Sequence, residues 1–196
     1  MVLRYDNVFI AGFEREQTIL NMKRQLHNSL RALFLSLAVL LSLPMLAAQV
    51  EIDGIGYDLV AESKQATVIQ KSSGKYSGEV VIPETVEYQG TTYSVTSIRN
   101  SAFSICSDLT SVAIPNSVRS IGEEAFRDCS ELLDVYCYAK KVPSTESNAF
   151  IASYPENDTL HVPAASVDSY KATAPWSGFG KIVGLTPEET GKVMVK

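Results

Sequence analysis

Between Val80 and Pro163 the chain repeats a short pattern of apolar positions alternating with polar or small ones and ending in proline. Val112 and Ile114 alternate with Ser111 and Ala113 and stop at Pro115, and the same spacing recurs in Val80, Ile82 and Pro83 and in Leu160, Val162 and Pro163. Period-two alternation sets the apolar residues on one side of a short strand and leaves the other side to solvent. Behind the strand a second apolar set follows, Val118, Ile121, Ala125, Phe126 and Cys129 in the clearest unit. A shift of 23 residues brings Ala102-Phe103 onto Ala125-Phe126, Cys106 onto Cys129, Leu109 onto Leu132 and Val112 onto Val135, and Ala149-Phe150 follows after 24. A period in the twenties predicts a solenoid, in which one coil cannot bury its apolar side until a neighbour stacks on it.

The departures from the period also carry structure. Val80, Ile82 and Pro83 precede Val112, Ile114 and Pro115 by 32 residues, one period plus nine. The excess falls in residues 86–95, where Tyr88 and Tyr93 flank Gln89-Gly90-Thr91-Thr92, and a glycine-containing turn between β-prone arms predicts an inserted hairpin. Phe103, Phe126 and Phe150 recur in phase with the buried positions and are expected to form a core ladder rather than a cofactor box. Solenoid ends need covers. Residues 49–78, with β-prone Ile55–Val60 and Ala66–Gln70, are expected to form an N-terminal β cap ahead of repeats over 79–163. Residues 164–196 are expected to form the other cap: a short helix opened by Pro163, carrying Val167 and Tyr170, stopped by Pro175 and followed by Trp176, Phe179, Ile182 and Val183 as apolar cover. The expected fold is mainly β, a solenoid of about three to four coils.

The strings Val81-Ile82-Pro83-Glu84-Thr85-Val86, Ala113-Ile114-Pro115-Asn116-Ser117-Val118 and Ile121-Gly122-Glu123-Glu124-Ala125-Phe126 resemble the BspA-like leucine-rich repeat family of bacterial surface proteins. The stretch from Leu160-His161-Val162-Pro163 through Tyr170, Trp176, Phe179 and Ile182 resembles the C-terminal end of its short members. The resemblance, over roughly Val50 to Leu185, implies a leucine-rich repeat fold, an adhesin-like role at the cell surface and no enzymatic activity.

Ala32 to Leu43 is an apolar run broken by Ser36 and Ser42, with Lys23, Arg24 and Arg31 before it and Leu46-Ala47-Ala48 after it. That order, basic then apolar then small, predicts a secretory signal over 22–48 cut after Ala48, too short in its apolar part to span a membrane. Residues 1–21 lengthen the leader beyond the usual size, and Met22 is the expected true start. Cleavage leaves 148 of the 196 residues, enough for one domain with a sizeable core. Five of 17 basic and three of 22 acidic residues precede the cut, so the exported part carries a net charge of −7, which opposes nucleic-acid binding. The protein is expected to be secreted, surface-displayed or periplasmic, without a transmembrane segment.

Candidate chemistry is sparse. Cys106, Cys129 and Cys137 read as buried thiols, since adjacent ladder positions suit disulfide distance but not its torsion. Metal and cofactor binding find no Cys-x-x-Cys pair, no glycine-rich phosphate loop and one histidine, His161, after the leader. A catalytic arrangement would have to use His161, which lies at the outward phase of a strand with no nucleophile in evidence. Asn157-Asp158-Thr159 matches a glycosylation acceptor, a three-residue match that chance explains. Outward phases give one file of Glu79, Ser111, Asp134 and Thr159 and another of Val81, Ala113, Tyr136 and His161, with Tyr138 where other coils have proline. Asp134, Tyr136, Tyr138 and His161 are the leading candidates for contact with a protein or glycan partner, and Tyr88 and Tyr93 on the hairpin come second. Two functions fit: an adhesion or recognition module, and a structural envelope protein with no specific ligand.

Overall fold

The computed structural model describes residues 20–27 and 48–186. It divides into two units, residues 1–46 and 47–196. In the first, residues 20–27 form a helix (α1) with exposed side chains, Leu20, Met22 and Leu26 among them. The apolar run Ala32 to Leu43 and the signal expected there lie outside the described residues. No helix among the described residues is long and apolar enough to cross a membrane.

The second unit is a two-sided β solenoid. One sheet has five strands in the order β12-β11-β9-β7-β4. These are β4 (Gly78–Val81), β7 (Leu109–Ile114), β9 (Asp134–Cys137), β11 (Thr159–Pro163) and β12 (Lys181–Leu185), all parallel to their neighbours. The other sheet runs β1-β2-β3-β6-β8-β10, with β5 paired to β6. Its strands are β1 (Ala48–Ile52), β2 (Ile55–Val60), β3 (Gln65–Ile69), β5 (Thr85–Tyr88), β6 (Thr91–Ile98), β8 (Ser120–Ile121) and β10 (Ser144–Thr145). A coil therefore reads as a strand, a proline turn, a two-residue strand on the opposite side and a looped corner. The registers Ser111↔Asp134, Val112↔Val135, Ala113↔Tyr136 and Ile114↔Cys137 are those of the 23-residue shift.

The looped corner is where the period acts most strictly. Phe103, Phe126 and Phe150 are buried and stack at centroid distances of 5.0 and 5.1 Å, with ring planes within 8° and 5°. Tyr76 closes the ladder at one end, 4.4 Å from Phe103, and Trp176 and Phe179 meet Phe150 edge-on at the other. Backbone amides join the corners coil to coil, Phe103 donating to the Ala125 carbonyl and Phe126 to that of Ala149. Asn100 and Asn116 side-chain oxygens accept from the Glu123 and Lys140 amides, one period ahead. Gly122 has no room for a side chain, because a Cβ there would lie 2.6 Å from the Asn100 backbone nitrogen.

The hairpin turns at Gln89-Gly90, both at positive φ, which matches the strand twist. At the N-terminal end, β1, β2 and β3 form an antiparallel meander that continues the second sheet, so β1 is a strand the sequence pattern did not isolate. The carboxylate of Asp58 on β2 is nearly buried and pairs with Arg99, just after β6.

The C-terminal end departs from expectation. Pro163 ends β11, and the helix α2 (Val167–Lys171) follows a short 3-10 turn, stopping before Pro175. Ile182 and Val183 are not loose cover. They belong to β12, a fifth parallel strand, with Val183 registered on His161. Trp176 is fully buried, its indole N–H donating to Thr145 Oγ1 at 3.1 Å, which suits a packing anchor and leaves no ring face for a ligand.

Candidate functional site

Strand register assembles the outer face of the five-stranded sheet. Glu79, Ser111, Asp134, Thr159 and Lys181 form one file, and Val81, Ala113, Tyr136, His161 and Val183 the next. The inward-facing residues between them, Val80, Val112, Val135 and Leu160, belong to the core. A groove of about 400 Å³ opens on this face, and Asp134, Tyr136, Tyr138 and His161 all line it.

Within the groove His161 and Tyr136 stack at 4.2 Å with planes 11° apart. His161 Nε2 and Asp134 Oδ1 are 2.7 Å apart. An ionised carboxylate only accepts, so the proton of this bond sits on Nε2. The pair fixes the ring that Tyr136 lies against. Asp134 therefore holds the edge of the His161 ring while Tyr136 covers its face. Groups of three or more metal-ligating side chains are absent among the described residues.

Two expected contact residues change role. Tyr138 is 3% exposed and packs with Ala113, Leu185 and Tyr136, because β12 carries Leu185 onto this end of the face. It is groove wall and packing, not a free-standing contact. Tyr93 is buried as well: it faces inward from β6 and joins the main core. Tyr88, its neighbour on the hairpin, is half-buried against that core, and its hydroxyl accepts from Gln89 Nε2 at 3.2 Å. The hairpin and the groove lie on different sheets, so the six candidates do not form one surface. Ala113 is also nearly buried, at 6% exposure, which makes it the floor of the groove rather than open surface. Period-two phase tells inward from outward but cannot foresee what a later strand lays on top.

The thiols are buried and none is disulfide-bonded. Burial pushes Cys129 up to about 12 and Cys137 to about 11, and raises Cys106. Cys137 Sγ lies 3.2 Å from the Tyr170 hydroxyl, which itself donates to the Ala139 carbonyl at 2.8 Å. Protonated, enclosed sulfurs behave as small core hydrophobes. Asp158, buried at the entry to β11, is shifted the same way. Burial and the nearby charges of Glu156 and Asp134 push its carboxyl up to about 6. In the acceptor-like triplet Asn157-Asp158-Thr159 the middle residue is thus folded into the protein.

Residues 80–170 match a family model described as BspA type leucine rich repeat region, in six copies. No curated protein matches the chain. Among solved structures, a leucine rich cell surface protein from Faecalibacterium prausnitzii is 22% identical over 63% of this chain and 29% of its own, with a TM-score of 0.41. A leucine-rich repeat protein from Bacteroides ovatus is 24% identical over 69% of this chain and 41% of its own, with a TM-score of 0.46. Another from Bacteroides capillosus is 20% identical over 76% of this chain and 95% of its own, with a TM-score of 0.41. The chain spans less than half the length of the first two.

Proposed function

Since residues 80–170 are a BspA-type leucine-rich repeat region, we propose that the protein is an exported recognition module that binds a protein or cell-surface partner through the outer face of its five-stranded sheet. The observation that carries this reading is the groove itself. Side chains from all five strands reach one concavity holding a stacked Tyr136–His161 pair, two carboxylates and apolar walls. Pockets that bind combine apolar lining with a few placed polar groups, and aromatic rings supply contact area at little entropic cost. Export rests on the basic, apolar and small-residue order of residues 22–48.

The test is binding of the exported form to a panel of extracellular-matrix proteins and glycans. Tyr136→Ser is expected to weaken capture of any ligand found by at least about tenfold, the size of a hot-spot truncation, with little change in the thermal transition. Full affinity in that variant rejects this face. A blank panel favours the reading in which the protein is a structural component of the envelope. Mass analysis of the exported protein's first peptide tests the cut after Ala48.

A further inference from the structure

The two outward files share a break at the same strand. On β7 both outward residues are short, Ser111 and Ala113, while their neighbours are longer, Glu79 and Val81 on β4 and Asp134 and Tyr136 on β9. Adjacent strands lie about 4.8 Å apart, so the two walls stand about 9.6 Å apart, backbone to backbone, with one row of long side chains missing between them. The groove is this trough over β7. Stacked rings in this protein already sit 4.2 to 5.1 Å apart along the solenoid. A flat or slender group entering the trough would therefore take the place of one missing ladder rung, with the Tyr136 ring as one wall and Val81 as the other. Charge narrows the choice. Glu79 and Asp134 flank Ser111 from either side, and no lysine or arginine among the described residues lines the groove. Glu79 makes no ion pair among the described residues, and Asp134 uses Oδ1 toward His161, which leaves Oδ2 to accept.

We propose that the trough over β7 takes an arginine side chain from a protein partner, the guanidinium lying above Ser111 between Glu79 and Asp134 and the aliphatic stem running over Ala113 between Val81 and Tyr136. The guanidinium is planar, carries donors on both edges and is weakly hydrated, which matches two facing carboxylates in a slot one side chain wide. Lysine supplies the charge without the plane, and a neutral sugar, though its hydroxyls can donate to carboxylates, brings no positive charge to offset two of them facing each other. The proposal rests on the recognition reading given above and names the group that the face would recognise.

The test uses short acetylated, amidated peptides with one central residue between Gly-Ser arms, titrated into the protein while ring-proton shifts of Tyr136 and His161 are followed by NMR. The arginine peptide should move both rings saturably, with citrulline, its neutral isostere, binding at least about tenfold more weakly and lysine about threefold more weakly. Glu79→Gln, on an exposed side chain, should cost about fivefold. Ala113→Leu fills the trough and should abolish the response; Ser111→Leu does the same from the other file if the first variant loses its thermal transition. Equal response to arginine and citrulline, a stronger response to maltose, or arginine binding that survives both leucine variants overturns the proposal. If a macromolecular ligand of the parent binds a folded Ala113→Leu protein as tightly, the arginine trough falls while the face remains a recognition surface. Loss of that ligand's binding in Tyr136→Ser, with no arginine response in the parent, separates the two in the same way.

Discussion

Two ladders run along the same coils and obey different rules. Inside, Phe103, Phe126 and Phe150 repeat one side chain in one orientation. Outside, Val81, Ala113, Tyr136, His161 and Val183 occupy equally regular positions with five environments and four residue types. Each coil presents its neighbour with the same corner to fill, so the inside position admits one answer. The outer position has no repeated corner to fill, and its packing differs from coil to coil, as Ala113 under Tyr138 and Leu185 shows. Strict repetition therefore marks packing, whereas a change of residue type in register marks surface only at outward positions, since Ile114 and Cys137 also differ in register and are both fully buried.

The largest test of that contrast is Phe126→Ala. The ring is fully buried between two others, and its loss should cost about 3 to 5 kcal/mol in urea unfolding, a cavity-sized penalty. Stability equal to the parent would mean that the corner ladder does not hold the coils together.

Tyr136 on β9 and Tyr138 just beyond its end sharpen the contrast, since they are two residues apart and both line the groove. Tyr138 is 3% exposed and packed by Leu185, so Tyr138→Ser should cost about 2 to 3 kcal/mol. Tyr136→Ser should cost under about 1 kcal/mol because its ring borders the groove. Thermal melts of the two single variants decide it, and equal losses would erase the distinction between wall and contact.

This pair also shows how far the sequence was legible. The 23-residue period located the strands β7 and β9, the inward and outward files and the phenylalanine ladder, because each depends on one coil meeting an identical neighbour. It did not reveal β12. Lys181–Leu185 belongs to no complete repeat, and its pairing with β11 depends on the path through α2 and Trp176. Missing that strand misplaced Tyr138, whose burial partner Leu185 arrives on it. Tyr93 was misplaced for a simpler reason: flanking a turn was read as exposure, whereas its position on β6 points it to the core. The trough over β7 was visible in the sequence as Ser111 and Ala113 between longer neighbours, but only register turns two small residues into a channel.

Asp158 couples the outer face to stability. Its carboxyl, pushed up to about 6 by burial and by Glu156 and Asp134, binds a proton more readily folded than unfolded. Its stabilising contribution is therefore fully present below the ordinary carboxylate value near 4 and is lost as pH rises through about 6. Asp158→Asn should flatten that part of the stability profile and raise stability at pH 7 by about 1 kcal/mol. Asp134→Asn removes one source of the shift, so the midpoint should move downward. A profile unchanged in both variants would show that Asp158 does not sense the groove.

The smallest expected effect lies at the corner, where the inner ladder imposes a cost on the surface. Ile105, Asp128 and Ala152 are spaced by 23 and 24 residues and all adopt positive φ, at 59, 53 and 58°. The conformation is a property of the coil: it lets the Ile105 amide donate to the Arg127 carbonyl and that of Asp128 to Ile151. Aspartate tolerates the left-handed region, but a β-branched side chain is crowded there. Ile105 is also 57% exposed, so little packing offsets the strain. Ile105→Asn keeps the amide hydrogen bond, suits the backbone and should stabilise the fold by about 0.5 to 1 kcal/mol. Asp128→Asn, at the equivalent corner, should change almost nothing, because its parent residue already fits. A loss of stability in Ile105→Asn would mean that the exposed isoleucine packs more than its position implies, and that the corner, like the groove, holds residues chosen for something other than the period.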